Sequence, residues 1–397
     1  MKKTTKVLLI SSFFHPHIGG SQQYMEDLYS MLVKKHKTVS VDVLCYNTDN
    51  APSIEKYRGM TIHRIDCWQI IPGRFNLPQP IALISKLIQF SRKKYNYVHT
   101  HLRFFDTTWW SWLYAKLIGA QSIFTEHVAA TPIHQSALVR FVAQVVDETI
   151  ARWVIPKYDL ILTTNKSAKS FLEQQLAIKK QIAIVSGGVN TNFFSPKKNQ
   201  KKVIPNSKIQ LRKSDIVVSF VGRMIFTKGV TYLFEVIKQL HKRLPSNIYF
   251  IFAGGGELDV LLKNSIDNEK LTKRIILTGP LDRKQVRELY RISNILIHPS
   301  YHKEGFPNVL LESGASECFV IATDTDGTEE LLHDGKTGFV IPQKDVISLK
   351  KTLRWALSHA SQRKRMAQKL RKHIVENFDW NSISETFYTL IVKNLRG

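Results

Sequence analysis

Short β-branched runs alternate along the chain with longer stretches of helical period, and few folds accept that rhythm. The N-terminal half reads VLLISSFF, then SQQYMEDLYSMLVKKH, SVDVLCYN, YNYVHTH, FDTTWWSWLYAKLIG, QSIFTEH, LILTT and QIAIVSG. Strands joined through helices in this way run parallel, with helices on both faces of the sheet. The rhythm breaks at SPKKNQKKVIPNSKIQLRKSD, which is polar, lysine-rich and holds two prolines. It restarts with DIVVSFVGR, VTYLFEVIKQLHKRL, NIYFIFAGGG, RIILTGP, RKQVRELYRIS, NILIHPS, NVLLESGAS and FVIAT. The expectation is an α/β protein of two doubly wound, Rossmann-like domains, at residues 1–195 and 215–377, joined by a linker over 196–214. A C-terminal helix over about 378–397 is expected to pack back on the first domain. In open α/β sheets ligands bind beyond the carboxyl ends of the strands, so the chemistry is expected in those loops, in a cleft where the two domains face each other.

Composition removes several classes. The three cysteines, Cys45, Cys67 and Cys318, are too few and too scattered for a disulfide framework or a cysteine-based zinc site, and point to small core residues in a reducing cytoplasm. Lysines followed by an apolar run make the start resemble a signal peptide, but the run is strand-length and lacks a small-residue cleavage site, so it reads as the first strand. No stretch reaches the roughly 18 apolar residues of a membrane span. The charge balance, 57 Lys+Arg against 32 Asp+Glu, is +25. Such an excess suits nucleic acid, an anionic membrane or an acidic acceptor. No RNA- or DNA-binding module supports the first.

The most informative segment runs from residue 298 to residue 342 and contains EGFPNVLLE. Glu304 ends a loop after a buried strand, Gly305-Phe306-Pro307-Asn308 follow, and Glu312 lies on the ensuing helix, four residues after Asn308. Proline suits a first helical position, where the free N–H groups of the opening turn attract an anion. A carboxylate one turn deeper can accept hydrogen bonds from two vicinal hydroxyls. In VGRMIFTKGV, Arg223 offers a planar fork and Lys228 a point charge beside Gly222 and Gly229, a pairing suited to a diphosphate. Gly19-Gly20 let the backbone approach a ligand after strand one, with Ser21 expected to cap the next helix. His127 ends SIFTEH; His99 and His101 end YVHTH and are weaker candidates.

Together these residues, with Pro16, Gly188-Val189-Asn190, Phe194, Gly254 to Gly256, Asp334-Gly335 and Gly338, resemble the retaining glycosyltransferases of family 4 (group 1), which have the two-domain GT-B fold. The resemblance spans nearly the whole chain. It implies a nucleotide-sugar donor and a glycan or lipid-linked acceptor, in cell-surface polysaccharide or glycolipid synthesis. Glu312 would hold the donor ribose, Glu304 and His127 the transferred sugar, and Arg223 and Lys228 the diphosphate. Gly19, Gly20, Gly222, Gly305, Phe306, Pro307 and Asn308 complete the donor contacts. The donor is a substrate, and neither cofactor nor essential metal is expected, although Asp324-Thr325-Asp326 superficially matches an Asp-x-Asp metal motif. Asp326-Gly327 and Ser186-Gly187 depart from the family's usual pattern. A nucleotide-sugar epimerase of the same fold is disfavoured by EGFPNVLLE. A non-catalytic nucleotide-sugar-binding module is disfavoured by intact Arg223, Lys228, Glu304 and Glu312.

Two surface questions stay open in the sequence. Lysine and arginine accumulate in the linker and over 350–372, where solvation is their usual fate. In PIALISKLIQFSRKKYNY, Ile81, Ile84, Leu87 and Ile88 recur at helical spacing beside Lys86, Arg92, Lys93 and Lys94. That pattern describes a helix packed on the sheet or a peripheral site on the inner face of the cytoplasmic membrane. Trp109, Trp110, Trp112 and Tyr114 fit a bilayer boundary or a core.

Overall fold

The first apolar run becomes β1 (Thr5–Ser11), a central strand. Its residues alternate between faces: Val7 and Leu9 join one core with Tyr29 and Phe387, whereas Leu8 and Ile10 join another with Val98 and Tyr114. A strand buried on both sides needs such a continuous apolar run, which explains the resemblance of the start to a targeting segment. The computed structural model describes residues 4–17, 19–71, 75–129, 141, 143–197, 201–301, 307–325 and 327–394.

The chain forms two units, Met1–Gly187 with Trp380–Gly397, and Gly188–Asp379. In the first, β1 is followed by β2 (Val39–Tyr46), β3 (Ile54–Tyr57) and β4 (Met60–Ile65). A separate antiparallel hairpin comes next, β5 (Cys67–Ile71) and β6 (Phe75–Pro78), before β7 (Tyr97–His101), β8 (Gln121–Glu126), β9 (Leu160–Thr163) and β10 (Ile182–Ile184). The main sheet has the order β10-β9-β8-β7-β1-β2-β4-β3, parallel except for β3. The helix Trp380–Asn394 returns to this unit, where Trp380, Ile383, Phe387 and Ile391 join the core beneath the helix Gly20–Lys35. Gly19, not Ser21, is the N-cap of that first helix; Ser21 lies inside the opening turn, its hydroxyl donating to Gln22 Oε1 at 3.2 Å.

The second unit starts at Gly188 because Val189 and Phe194 are buried in its core with Leu310 and Phe378. The lysine-rich run also belongs to it. There β11 (Lys202–Val203) and β12 (Gln210–Leu211) pair as a hairpin, and Ile204 and Leu211 seat in a core with Val217 and Ile251. Six parallel strands follow: β13 (Ile216–Val221), β14 (Ile248–Ala253), β15 (Ile275–Gly279), β16 (Ile295–His298), β17 (Phe319–Thr323) and β18 (Phe339–Ile341). Their order is β15-β14-β13-β16-β17-β18. All three cysteines are free, with Cys45 and Cys318 buried. Among the described residues, no helix is long and apolar enough to cross a membrane.

Candidate functional site

At the carboxyl edge of the second sheet, the loops after β13, β14 and β16 are joined through backbone. Gly222 N–H donates to Ala253, Met224 N–H to Gly255, and Leu258 N–H to the Met224 carbonyl. Two glycines make this closeness possible. A Cβ on Gly254, whose φ is +138°, would lie 1.9 Å from the Gly222 oxygen, and one on Gly229, at φ +69°, would lie 1.9 Å from the Pro299 oxygen. The loop after β13 is therefore held on two sides, and it carries an exposed Arg223 and a half-buried Lys228 within five residues. A cation pair on a fixed backbone keeps its charge where a diphosphate would meet it, without the reorganisation that a mobile loop requires.

Beyond β16, the helix Asn308–Ala315 opens with no acidic residue in its first turn. Pro307 is its N-cap, with extended backbone, so the helix begins one residue later than the sequence suggests. Glu312 lies one turn on from Asn308 and is half-buried. Beneath it is the buried Tyr290, on the helix Arg283–Ile292. Burial, then the adjacent Glu312 and Cys318, hold the Tyr290 phenol well above its ordinary pKa, so it stays neutral beside the carboxylate. Glu304, Gly305 and Phe306 lie outside the described residues, as does Asp326; Asp324 is exposed after β17. Among the described residues, no three His, Cys, Asp or Glu side chains form a metal-holding group.

The corresponding edge of the first sheet holds the histidines. His101 Nδ1 and His127 Nε2 are 2.9 Å apart, so one donates to the other. His99 makes a 2.5 Å bond with the Tyr29 hydroxyl and a 2.7 Å bond with that of Thr125. Burial pushes the His127 imidazole down to about 3, and that of His99 to about 3 with some help from His127. His101 falls well below its ordinary value through burial and then its two histidine neighbours, and its Nε2 is buried without a hydrogen-bond partner. The group is thus neutral, with His101 and His127 hydrogen-bonded, His99 in ring contact with His101, and only His127 reaching partial exposure. Gly20 borders open space, with nothing within 4 Å of an added Cβ, while a Cβ on Gly19 would meet only the flexible end of Gln22.

What holds His127 in place was missed in the sequence. Arg103, 0% exposed, pairs with Glu126 at 2.9 Å and with Asp147 at 2.6 Å. The other Glu126 oxygen accepts the backbone N–H groups of His127 and Val128, at 2.8 and 3.0 Å. A charged pair beside TEH was visible as residue types, but its third member lies 44 residues from Arg103 and no spacing reveals it. Elsewhere, a cavity of about 920 Å³ lies at the opposite edge of the second sheet, by Ile216, Ile248 and Trp355. It collects none of these groups.

The profile described as Glycosyltransferase Family 4 matches residues 18–193, and that of Glycosyl transferases group 1 matches residues 201–373. The chain belongs to this family of glycosyltransferases. An uncharacterized glycosyltransferase of Methanocaldococcus jannaschii is 24% identical to it over 388 residues, covering 94% of this chain and 95% of the relative. The phosphatidylinositol N-acetylglucosaminyltransferase GPI3 subunit of Saccharomyces cerevisiae is 20% identical over 389 residues, covering 96% of this chain and 81% of the relative. Among solved structures, HepE of Anabaena in complex with UDP superposes with a TM-score of 0.75 at 16% identity, covering 98% of this chain and 100% of that one. Sucrose-phosphate synthase of Thermosynechococcus elongatus superposes at 0.74, with 19% identity and 99% of each chain covered. The glycosyltransferase thus has the GT-B fold, two doubly wound parallel-sheet units.

Proposed function

We propose that this glycosyltransferase moves a hexosyl group from a nucleoside-diphosphate sugar to a glycan or lipid-linked acceptor, with retention of configuration and without an essential metal. The reading rests on the glycine-knit edge of the second unit, which holds Arg223 and Lys228 on one loop and Glu312 one turn into a neighbouring helix. UDP in the HepE complex and phosphatidylinositol in the name of the yeast relative make uridine donors and lipid acceptors the first to try. We assign Glu312 to the ribose hydroxyls, Arg223 and Lys228 to the diphosphate, and Glu304 and His127 to the transferred sugar. In the transfer step the bond from the anomeric carbon to the β-phosphate oxygen breaks while the acceptor hydroxyl attacks from the same face. The hydroxyl proton passes to the departing phosphate, whose growing charge Arg223 and Lys228 stabilise.

The test is turnover of labelled UDP-N-acetylglucosamine and UDP-glucose with lipid and glycan acceptors, in EDTA, with the product anomer assigned by NMR. Retained configuration and full activity in chelator are expected. Inverted product, or activity restored only by magnesium or manganese, overturns the mechanism. Isomerised donor without transfer identifies an epimerase instead.

A further inference from the structure

The helix Pro80–Ser91 is apolar nearly all round, and the structure decides which side faces inward. Phe90 is buried, and Ala82, Leu83 and Leu87 pack with it against Tyr95 and Tyr114. Ile81, Ile84 and Ile88 point outward, 85%, 57% and 57% exposed. The antiparallel hairpin that leads into this helix adds Trp68 and Ile70, 52% and 55% exposed. The hairpin and the helix are joined at their base, where Gln79 N–H donates to the Asp66 carbonyl at 2.9 Å. Large aliphatic and indole side chains stay exposed in such number where they meet something apolar.

The charge around them says what. The described residues of 67–94 contain no aspartate or glutamate but four Lys and Arg: Lys86, Arg92, Lys93 and Lys94. Lys93 is engaged with Asp42 at 3.0 Å, whereas Arg92 and Lys94 stand exposed at the helix end. A second copy of this chain would bring the same positive face against itself, so self-association is disfavoured.

We propose that the outward side of the helix Pro80–Ser91, with the β5–β6 hairpin, docks on an anionic lipid bilayer. The helix lies in the plane of the surface, with its isoleucines in the acyl boundary, its cations at the head groups and Trp68 at the interface. The hairpin leaves the sheet directly after β4, at the carboxyl edge to which His101 and His127 also belong. This deepens the proposed transfer to a lipid-linked acceptor and rests on it for its purpose, although the docking itself needs no donor.

The experiment is flotation of the full chain with phosphatidylcholine vesicles, with or without about 30% phosphatidylglycerol. The wild type is expected to float with the anionic vesicles, to remain below with the neutral ones, and to be released as salt rises. The triple variant Ile81→Ser, Ile84→Ser, Ile88→Ser should partition about tenfold less. Arg92→Gln with Lys94→Gln should lose several-fold. In wild type, Trp68 emission should shift to the blue on anionic vesicles, a change absent from Trp68→Phe. A wild type that stays below, equal flotation with neutral vesicles, or a triple variant that floats like wild type overturns the proposal. So does concentration-dependent dimerisation, abolished in the triple variant, without flotation. UDP affinity of the triple variant should match wild type. Flotation without transfer activity would sink the transferase reading while leaving this surface standing.

Discussion

At the carboxyl edge of the first sheet the polar groups are buried and answer one another: Arg103 between two carboxylates, His99 between two hydroxyls, His101 against His127. At the same edge of the second sheet the closeness is between backbone and backbone, enforced by Gly229 and Gly254, and Arg223 stands exposed on the loop so formed. A charge that is taken out of water needs partners to survive there, whereas a charge kept at the surface is available to a ligand. The same residue type is therefore locked into the structure of one unit and left open to solvent in the other.

Replacing each arginine by methionine gives the largest contrast. Arg103→Met leaves Glu126 and Asp147 without their cation and should cost about 3–5 kcal/mol in urea unfolding. Arg223→Met should leave the unfolding midpoint nearly unchanged and lower the transfer rate about 10²-fold or more. Equal stability of the two variants would end the comparison. Glycines sharpen it next. Gly254→Ala forces a Cβ into the Gly222 carbonyl at a left-handed φ and should cost about 2 kcal/mol or more. Gly20→Ala, facing open space, should fall within about 0.5 kcal/mol of wild type.

Acid should discriminate between the edges too. His99 titrates near 6.5 when unfolded and at about 3 when folded, so between those values the unfolded chain binds a proton that the native one does not. Stability from His99 is thus complete above its unfolded pKa and falls as pH drops, by about 2 kcal/mol between pH 7 and pH 5. Urea titrations at both pH values should show that loss in wild type and a smaller one in His99→Gln. A modest effect is expected from Tyr290→Phe, which should weaken UDP binding about fivefold, through Glu312, with little change in melting temperature. Unaltered UDP affinity would separate Tyr290 from the site.

The strand and helix rhythm was legible because parallel sheets buried on both faces need continuous apolar runs such as VLLIS and IVVSFV. The residues of the second unit's edge were legible because their spacing lies within single loops, as with Arg223 and Lys228. Partnerships across the fold were not. Asp147 carries no local signal that its partner is Arg103. Ile204 and Leu211, seven apart among lysines, give no period to mark them as core. The helix Pro80–Ser91 was ambiguous because isoleucines and leucines surround it, and hydrophobicity alone does not say which side the sheet covers. The cap on the first helix was misread because Ser21 is a good capping residue that sits two positions too late.

Trp380, Ile383, Phe387 and Ile391 complete the core of a unit whose strands end at Ile184. Between them lies the whole of Gly188–Asp379. On the ribosome, then, the first sheet emerges early but waits, its Val7 and Tyr97 face covered only in part by the helix Gly20–Lys35, until nearly two hundred further residues have been made. The second unit is contiguous and can close as soon as it appears. Domains commonly fold in the order in which they are synthesised. Here the order is inverted: the part that begins the chain is the last to be finished, and it must stay soluble meanwhile.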